Sequence, residues 1–281
     1  MNALTVKHER LKRRLASLGS LLVAYSGGVY STLLLAVAAS VLGRRLLAVT
    51  ADSPTFPAAE RREARRIARR LGVRHRVVRT RELEDPRFRE NPADRCYWCK
   101  RGLLGALRAV AAREGIAAVA LGSQRDDSRD YRPGERAARE MRALSPLRDA
   151  GFTRRDVRLL SRRLGLPGWD REPAACLASR IPYGRPIERA ALRRVERAEE
   201  LLRAEGFRRV RVRADGTAAR IEVDPAQVGA FVSRRARLSA ARALRRLGFT
   251  AVSVDLEGYR TGSLNEALGA KGPRRTRRGR R

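Results

Sequence analysis

Two neighbouring glycines separate an apolar strand from an apolar helix near the start of this chain. The run Ser20–Tyr25 is short and apolar, which is typical of a buried strand, and Thr32–Leu42 is apolar and rich in alanine, which indicates a helix packed on a sheet. Between them lies Ser26–Ser31, with the sequence Ser-Gly-Gly-Val-Tyr-Ser. A strand that passes through glycines directly into a helix begins an α/β unit, and this restricts the fold to classes built from such units.

The alternation of strands and helices continues toward the middle of the chain. Further strands are predicted at Arg45–Ala51, His75–Thr80 and Ala117–Gly122, and helices at Asn2–Leu18, Ala58–Leu71, Lys100–Glu114 and Thr153–Leu164. Thr153 is the predicted N-cap of the last helix. Glu82–Arg95 is predicted to be irregular and Asp126–Glu135 to be a charged loop. This order of elements predicts an α/β fold with a mainly parallel sheet.

The pattern changes after Tyr183 and Gly184, which predicts a second domain. The elements predicted there are the helices Glu188–Glu205 and Pro225–Leu247 and the strands Arg208–Arg213, Arg220–Val223 and Ala251–Leu256. They form a small α+β unit, so the domain boundary is predicted near Arg185. Residues 1–184 are then the domain that carries the glycine loop, and residues 185–268 are a smaller domain for substrate binding or oligomerisation. Residues 269–281 are a basic tail that is predicted to be disordered.

The glycine loop has the features of a phosphate-binding site. The first N–H groups of a helix have no partner within the helix, and the helix dipole favours negative charge there. Gly27 and Gly28 allow the backbone to approach a phosphate closely, and the hydroxyls of Ser26 and Ser31 are additional donors. The alternative interpretation is a plain glycine turn between a strand and a helix.

The formal net charge of +33 first suggests a nucleic-acid partner. However, nearly all of the positive charge is arginine spread over every predicted helix, because the only lysines are Lys7, Lys12, Lys100 and Lys271. Solvated arginine faces are therefore the favoured interpretation, and nucleic acid is not expected as the substrate. No apolar run approaches the roughly 20 residues of a membrane helix, and the first residues do not resemble a secretory signal. We expect a cytoplasmic protein without a membrane partner.

The chain has three cysteines, Cys96, Cys99 and Cys176. A disulfide framework is not expected in a cytosolic chain of this length, so metal ligation or thiol chemistry must be considered. The C-x-x-C motif of Cys96 and Cys99 alone is compatible with zinc, an iron–sulfur cluster, a redox dithiol or coincidence. Cys176 alone is compatible with a small buried apolar residue, although the nearby Arg180 would favour the reactive thiolate.

Several motifs resemble the ATP-pyrophosphatase (PP-loop) superfamily, whose enzymes cleave ATP between its α and β phosphates. The glycine loop resembles the pyrophosphatase loop, Asp52-Ser53 matches the position where the superfamily meets the nucleotide, and Gly122–Asp127 resembles the other active-site loop. The resemblance implies that ATP contacts Ser26, Gly27, Gly28, Ser31, Asp52, Ser53 and Asp127. The family's usual Asp before the last Ser is Tyr30 here, and tyrosine cannot ligate Mg²⁺ comparably.

The resemblance is closest to the LarE-type sulfurtransferases and extends from about Leu11 to Leu268. The matching segments are Asn91–Lys100, Asp130–Gly134, Ser145–Leu147, Pro173–Gly184, Arg211–Arg213, Ala219–Val223 and Gly258–Asn265. That family makes the nickel-pincer nucleotide cofactor of lactate racemase. The resemblance implies that ATP adenylates a carboxylate of a pyridinium biscarboxylate mononucleotide, and that sulfur then displaces AMP. It also implies an adenine nucleotide α-hydrolase-like fold and a homohexamer.

The resemblance also assigns roles to the three cysteines and to the residues that bind the substrate phosphate. In some family members the cysteine that matches Cys176 gives up its own sulfur; in others, three cysteines that match Cys96, Cys99 and Cys176 hold a 4Fe–4S cluster, and this second form is favoured here. The substrate phosphate is placed at Ser179, Arg180, Arg211 and Arg213. Arg211 and Arg213 are predicted to point to one face of a strand. Glu199 and Glu222 are compatible with metal ligands or with a solvated face.

Three other functions remain open. A tRNA-thiolating enzyme can also combine this phosphate loop with three cluster cysteines. An amidating synthetase of the same superfamily would not need three cysteines. A non-enzymatic ATP-binding protein, disabled at Tyr30, is the third. ATP and Mg²⁺ are the ligands expected in the leading interpretation, with the 4Fe–4S cluster as the third cofactor.

Overall fold

The computed structural model describes residues 2–126, 133–171, 175–260, 262–266 and 268. The chain divides into two compact units. The first comprises Met1–Glu82 and Asp94–Ala175, and the second comprises Leu83–Ala93 and Cys176–Arg281. The predicted boundary at Arg185 lies inside the second unit. None of the helices in the described ranges has the length and apolar character that crossing a membrane requires.

The first unit is built on a parallel sheet of four strands in the order β3-β2-β1-β4. Its strands are β1 (Leu21–Ala24), β2 (Leu46–Asp52), β3 (Arg74–Arg79) and β4 (Ala118–Ala120). Its helices are α1 (Ala3–Ala16), α2 (Val29–Leu42), α3 (Ala58–Arg70), α5 (Arg95–Arg113), α6 (Pro133–Glu140), α7 (Pro146–Asp149) and α8 (Arg154–Arg163), while α4 (Pro86–Arg89) belongs to the second unit. This confirms the predicted α/β class with a parallel sheet.

Helices cover both faces of this sheet. Successive residues of a strand point to opposite faces, so each strand contributes side chains to two separate cores. Leu21 and Val23 of β1 pack into a core with α1, α2, α3 and α8. Leu22 of the same strand, with Leu47 and Val49 of β2, packs into a separate core with α5. These strands are therefore apolar throughout, which explains why they were recognisable in the sequence as continuous apolar runs.

The strand order creates a topological switch point. The chain moves from β1 to β2 and β3 on one side, and β4 then pairs with the other side of β1. In open α/β sheets the ligand site lies at the carboxyl ends of the strands where the order reverses. In this unit that position lies beyond the carboxyl ends of β1 and β4, next to the glycine loop after β1 and the segment that follows β4.

The second unit contains a three-stranded sheet in the order β5-β6-β7. Its strands are β5 (Val210–Asp215), β6 (Ala218–Val223) and β7 (Ala251–Val254), and its further helices are α9 (Arg189–Ala204), α10 (Val228–Val232), α11 (Arg234–Arg246) and α12 (Ser263–Glu266). β5 and β6 form an antiparallel hairpin, and β7 pairs parallel to β6 after the crossover through α10 and α11. This confirms a smaller α+β unit with a mixed sheet.

Several element boundaries differ from the sequence predictions. Helix α5 begins at Arg95, so Cys96 and Cys99 lie inside its first turns and do not precede it. The single helix predicted over Pro225–Leu247 is interrupted because Ser233 has an extended backbone between α10 and α11. Thr153 is confirmed as the N-cap of α8, where it forms a capping box with Asp156.

Candidate functional site

The glycine loop joins β1 to α2 and is held together by its two serines. The Ser26 and Ser31 hydroxyls are 3.2 Å apart, and Ser31 Oγ donates to the Gly28 carbonyl at 3.1 Å. Gly28 is the N-cap of α2, and no side chain caps this helix. A 14-residue helix with an uncapped N-terminus and two hydroxyls beside it presents donors to an anion.

Two glycines set the shape of the loop. Gly27 has φ +73°, a conformation that other residues rarely adopt, and a Cβ there would lie 3.0 Å from the Cα of Ala64 on α3. Gly122 follows β4, and a Cβ there would lie 2.9 Å from the amide nitrogen of Ser31. The β4 segment therefore approaches the backbone of the glycine loop as closely as a residue without a side chain allows.

Neutral polar groups surround the base of the loop. The Tyr25 hydroxyl lies 3.3 Å from Thr32 Oγ1, and burial raises the pKa of Tyr25 to about 12, against a minor lowering by that hydrogen bond. Thr50 Oγ1 donates to the Tyr25 carbonyl at 2.7 Å. Burial, followed by the charge of Arg65, lowers the pKa of His75. The side chains of Tyr25 and His75 therefore remain uncharged at neutral pH. Tyr30, which replaces the family's Asp, packs partly buried against the core.

At the carboxyl end of β2, the predicted ATP contacts Asp52 and Ser53 have polar partners that the sequence did not reveal. Asp52 forms an ion pair with Arg61 of α3. Ser53 is buried, and its hydroxyl donates to Glu82 and lies 2.7 Å from Thr55 Oγ1. Thr55 Oγ1 also donates to Glu82 Oε1 at 3.1 Å, whereas the buried Glu82 Oε2 has no hydrogen-bond partner within the described residues. The Ser53 hydroxyl is therefore engaged inside the protein.

The structure describes the segment after β4 as far as Asp126. Gln124 is fully buried and its side chain accepts from the Asp126 amide at 2.7 Å. Asp126 Oδ2 in turn accepts from the Arg154 amide at the start of α8 at 2.8 Å. The predicted ATP contact Asp127 lies outside the described residues, and so does most of the predicted loop Asp126–Glu135 up to the start of α6.

Cys96 and Cys99 stand one turn apart at the N-terminal end of α5, with Cys96 exposed and Cys99 half-buried. Tyr97 is buried between them, donates its hydroxyl to Glu140 of α6, and packs edge-to-face against Trp98. A Cβ at Gly134 of α6 would lie 3.2 Å from the Cys96 carbonyl oxygen. Helix α6 therefore buttresses the C-x-x-C turn.

The donor chemistry of the three cysteines fits an iron–sulfur cluster, because thiolates are its usual ligands. Cys96 and Cys99 belong to the first compact unit and Cys176 to the second. Across the described ranges, no group of three or more His, Cys, Asp or Glu side chains is gathered to hold a metal ion. The expectation of a cluster therefore depends on the type of the residues and on the family resemblance.

Cys176 begins a tight turn in the second unit. It is exposed and precedes the 3₁₀ turn Leu177–Arg180. Its carbonyl oxygen accepts from the amide of Ser179 at 3.0 Å, from the Ser179 hydroxyl at 2.7 Å and from Arg180 Nη1 at 3.0 Å. Three hydrogen bonds to the carbonyl oxygen of Cys176 therefore hold the backbone that carries its thiol.

Arg180 and Glu199 form a buried, bidentate ion pair. Both side chains are almost completely inaccessible, at 2% and 1% exposure. Arg180 Nε and Nη2 donate to the two carboxylate oxygens of Glu199 at 2.7 and 2.9 Å. Burial alone would raise the pKa of Glu199, but the hydrogen bonds and charge of Arg180, with the charges of Arg203 and Arg211, hold it below its ordinary value. Glu199 is therefore neither a solvated residue nor available to a metal.

Arg211 and Arg213 share one face of β5, as predicted, because the alternate residues Val210, Val212 and Ala214 are buried. Arg213 forms a bidentate pair with Glu222 of β6, with both distances 2.8 Å. The same guanidinium donates to the Ser179 carbonyl at 2.6 Å.

Arg211 lies over the Tyr259 ring at 5.1 Å and donates to the Val210 carbonyl. Burial, and then the charge of Arg180, lowers the pKa of Arg211. Three arginines, Arg180, Arg203 and Arg211, therefore surround the single carboxylate of Glu199, which leaves positive charge in excess. A substrate anion would relieve this excess.

The sequence did not identify Glu82, Gly122 or the paired roles of Glu199 and Glu222. Each of them meets its partner across many intervening residues, so no local spacing marks it. Gly122 was included in a matching segment, but its approach to Ser31 depends on β4 lying next to β1.

Comparison with known proteins adds a family model and three relatives. The family model, described as asparagine synthase, matches residues 8–95. An uncharacterised protein of Synechocystis sp. is 42% identical over 262 residues, which is 93% of this chain and 98% of the relative. The pyridinium-3,5-bisthiocarboxylic acid mononucleotide synthase of Lactiplantibacillus plantarum is 38% identical over 269 residues, 95% of this chain and 97% of that protein. An uncharacterised protein of Methanocaldococcus jannaschii is 25% identical over 241 residues, 86% of this chain and 91% of the relative.

Proposed function

This chain belongs to the family of the pyridinium-3,5-bisthiocarboxylic acid mononucleotide synthase, the LarE-type PP-loop sulfurtransferases, and from that premise we propose the reaction that it catalyses. It uses ATP to insert sulfur into the carboxylates of a pyridinium biscarboxylate mononucleotide. The product serves the biosynthesis of the nickel-pincer nucleotide cofactor of lactate racemase. The observation that carries this proposal is the uncapped glycine loop at the switch point of the parallel sheet.

The first step is adenylation at this loop. A substrate carboxylate oxygen attacks the α-phosphorus of ATP, the bond to the β-phosphate oxygen breaks, and pyrophosphate leaves. The step is needed because a carboxylate repels nucleophiles, whereas the acyl adenylate is neutral at the acyl carbon and carries AMP as a leaving group. The hydroxyls of Ser26 and Ser31 and the N-terminus of α2 hold phosphate oxygens, and Gly27 and Gly28 permit their close approach. Asp52, Ser53 and Asp127 remain the predicted contacts to the rest of the nucleotide, with Mg²⁺ as the metal.

The second step delivers sulfur from the turn at Cys176. If Cys176 is itself the donor, its thiolate attacks the acyl carbon and AMP leaves with the bonding electron pair. Loss of the Cα proton and cleavage of the Cβ–S bond then release the thiocarboxylate and leave dehydroalanine. The excess positive charge around Arg211 supports a role in binding the substrate phosphate. The family resemblance assigns Ser179, Arg180 and Arg213 to the same role, although Glu199 already engages the Arg180 guanidinium.

The proposed sulfur source is the cluster form, in which Cys96, Cys99 and Cys176 hold a 4Fe–4S cluster. When bound, such a cluster supplies a transferable sulfide at an iron that no cysteine ligates. Three cysteines with none to spare, two of them on one turn of α5, support this form. In the first form the transferred sulfur would be that of Cys176 itself, and in the second Cys176 would be one of the three residues that hold the cluster.

The proposed reaction is tested by incubating the protein with ATP, Mg²⁺ and the pyridinium biscarboxylate mononucleotide. We expect pyrophosphate release that depends on the nucleotide and a thiocarboxylate product that mass spectrometry detects. Pyrophosphate release at the same rate with and without the pyridinium mononucleotide, or no release at all, would reject the proposal. A tRNA substrate that is thiolated in its place would assign the chain to the alternative tRNA-modifying activity.

The sulfur source is tested separately with protein purified without oxygen. In the cluster form the protein is coloured, contains iron and sulfide, keeps its mass after turnover, and loses transfer in Cys96→Ser and Cys99→Ser. A colourless, iron-free protein that becomes lighter by one hydrogen sulfide, with transfer intact in those two variants, would assign the donor role to Cys176 alone.

A further inference from the structure

The backbone of Cys176 is unusually constrained for a residue whose side chain is exposed. Its carbonyl oxygen receives hydrogen bonds from the Ser179 amide, the Ser179 hydroxyl and the Arg180 guanidinium, at 2.7–3.0 Å. Rotation of the peptide after Cys176 would break all of these bonds together. The backbone of the residue that bears the sulfur therefore cannot reorient unless the turn opens.

The guanidinium that reaches this carbonyl is itself fixed from the opposite side. Arg180 uses Nη1 for the Cys176 carbonyl, and Nε and Nη2 for Glu199. Glu199 also accepts from Arg203 and from the amide of Val212 at 3.2 Å. One buried carboxylate of α9 thus connects the helix, strand β5 and the turn that carries Cys176. A guanidinium carries its donors on three nitrogens in one plane, so it binds both Glu199 oxygens and the Cys176 carbonyl together, whereas an ammonium group has all its donors on one nitrogen and cannot span these positions.

The sheet holds the same turn at a second point. Arg213 of β5 donates from Nη1 to the Ser179 carbonyl at 2.6 Å. Its Nε and Nη2 donate to Glu222, and Nη2 also donates to the Ser263 hydroxyl. Arg213 is only 12% exposed and Glu222 only 2%. The two buried arginine–glutamate pairs therefore fix two carbonyls of the same turn, those of Cys176 and Ser179.

We propose that Arg180, locked by Glu199, is a positioning residue that holds the sulfur-bearing Cys176 in the geometry required for transfer. The inference rests on the proposed function, and it goes beyond it by giving Arg180 a role other than binding the substrate phosphate. A phosphate could reach this guanidinium only by displacing Glu199 from a desolvated, bidentate pair. Transfer depends steeply on alignment, and a displacement of about 1 Å can slow a reaction about 100-fold.

The test compares Arg180→Lys with Arg197→Met in the full-length protein. Lysine keeps the positive charge, but its donors lie on a single nitrogen, which cannot bind both oxygens of Glu199 and also the Cys176 carbonyl. Arg197→Met removes an arginine of the same helix α9 that is 64% exposed and pairs with Glu200. Three quantities are measured: thiocarboxylate formation in a single turnover, the KM of the mononucleotide for pyrophosphate release, and hydrogen exchange at the Ser179 amide.

For Arg180→Lys we expect transfer to slow by about 10- to 100-fold, Ser179 amide exchange to accelerate, and the KM of the mononucleotide to stay at the wild-type value. Arg197→Met should match the wild type in all three. A raised KM in Arg180→Lys would mean that Arg180 binds substrate, and this would overturn the proposal. So would unchanged transfer and exchange in Arg180→Lys, or an equal loss of transfer in Arg197→Met.

The outcome separates this inference from the proposed function. If the wild-type protein forms no thiocarboxylate at all, the proposed function fails. Hydrogen exchange at Ser179 still measures the tie between Arg180 and the turn in that case, and unchanged exchange in Arg180→Lys would then reject the inference independently. Circular dichroism and a melting curve for each variant establish that the measurements are made on folded protein.

Discussion

A single methyl group at Gly122 should disturb the nucleotide site. Its Cβ would lie 2.9 Å from the Ser31 amide nitrogen and 3.2 Å from the Tyr30 carbonyl carbon, both of which are backbone atoms that cannot move aside cheaply. We expect Gly122→Ala to push the segment after β4 away from the glycine loop and to weaken ATP binding by about 1–3 kcal/mol. Isothermal titration calorimetry with ATP and Mg²⁺ measures this.

Gly105→Ala is the matched control for this change. Gly105 lies on an exposed face of α5, and a Cβ there meets no atom within 4 Å. Alanine is the better helix former, so this variant should bind ATP normally and should be slightly more stable. Equal ATP affinity in the two variants would mean that the close approach of Gly122 does not shape the site.

Glu199 should make the folded state sensitive to acid. Burial opposes ionisation of this carboxyl, but hydrogen bonds and charge from Arg180 prevail and lower its pKa from the ordinary 4.5. A carboxyl with a depressed folded pKa contributes stability that is complete above its unfolded pKa and is lost as the pH falls through the folded pKa. We expect the urea midpoint to stay level from neutral pH to about pH 5 and then to fall.

Glu199→Gln tests this origin of the acid sensitivity. Removing one partner of a buried ion pair costs about 3–5 kcal/mol, so this variant should be less stable at pH 7. It should also lose part of the decline in acid. Asp85→Asn is the comparison. Asp85 is a more exposed carboxylate, and a side-chain hydrogen bond from Arg87 is the main cause that lowers its pKa. Identical acid profiles for Glu199→Gln and the wild type would contradict this assignment.

At the scale of elements, the N-terminus of α8 depends on a local motif. Thr153 accepts from the amide of Asp156, and Asp156 accepts from the amide and hydroxyl of Thr153, which satisfies donors that the helix leaves free. Asp156 also pairs with Lys7 of α1 at 2.6 Å. Thr153→Ala should therefore reduce the free energy of unfolding by ~1 kcal/mol, as measured by urea denaturation.

Ser145→Ala provides the contrast for the capping prediction. Ser145 is the N-cap residue of α7, but its buried hydroxyl caps no amide and has no hydrogen-bond partner within the described residues. Removing an unsatisfied hydroxyl should leave stability unchanged or raise it. If the Ser145 and Thr153 variants lost the same stability, the hydrogen bonds of the capping box would not be the source.

At the scale of the whole molecule, net charge should influence assembly. The homohexamer implied by the family resemblance would bring together chains that each carry a formal charge of +33. Repulsion between like charges opposes such an assembly, and salt screens it. We expect light scattering to give a mass of about 188 kDa, six copies of a 31.4 kDa chain, with the hexamer more populated at high than at low ionic strength. A monomer at every salt concentration would reject the hexamer.

The sequence by itself determined the α/β class, the glycine loop and most of the helices and strands. It could do so because these features are local: buried parallel strands are apolar throughout, and a helix N-terminus after glycines has its own signature. The one-face arrangement of Arg211 and Arg213 was also predictable, since it depends only on the two-residue period of a strand.

Only the tertiary structure decided which polar residues meet. Glu199 lies 19 positions after Arg180, and Glu82 lies 29 after Ser53, so no short spacing connects them. The sequence offered metal binding or solvation for Glu199 because a glutamate on a helix has several possible partners, and folding selects one by burying it beside a guanidinium. The contact of Gly122 with Ser31 has the same origin: β4 returns to pair with β1, and strand order is a property of the whole sheet.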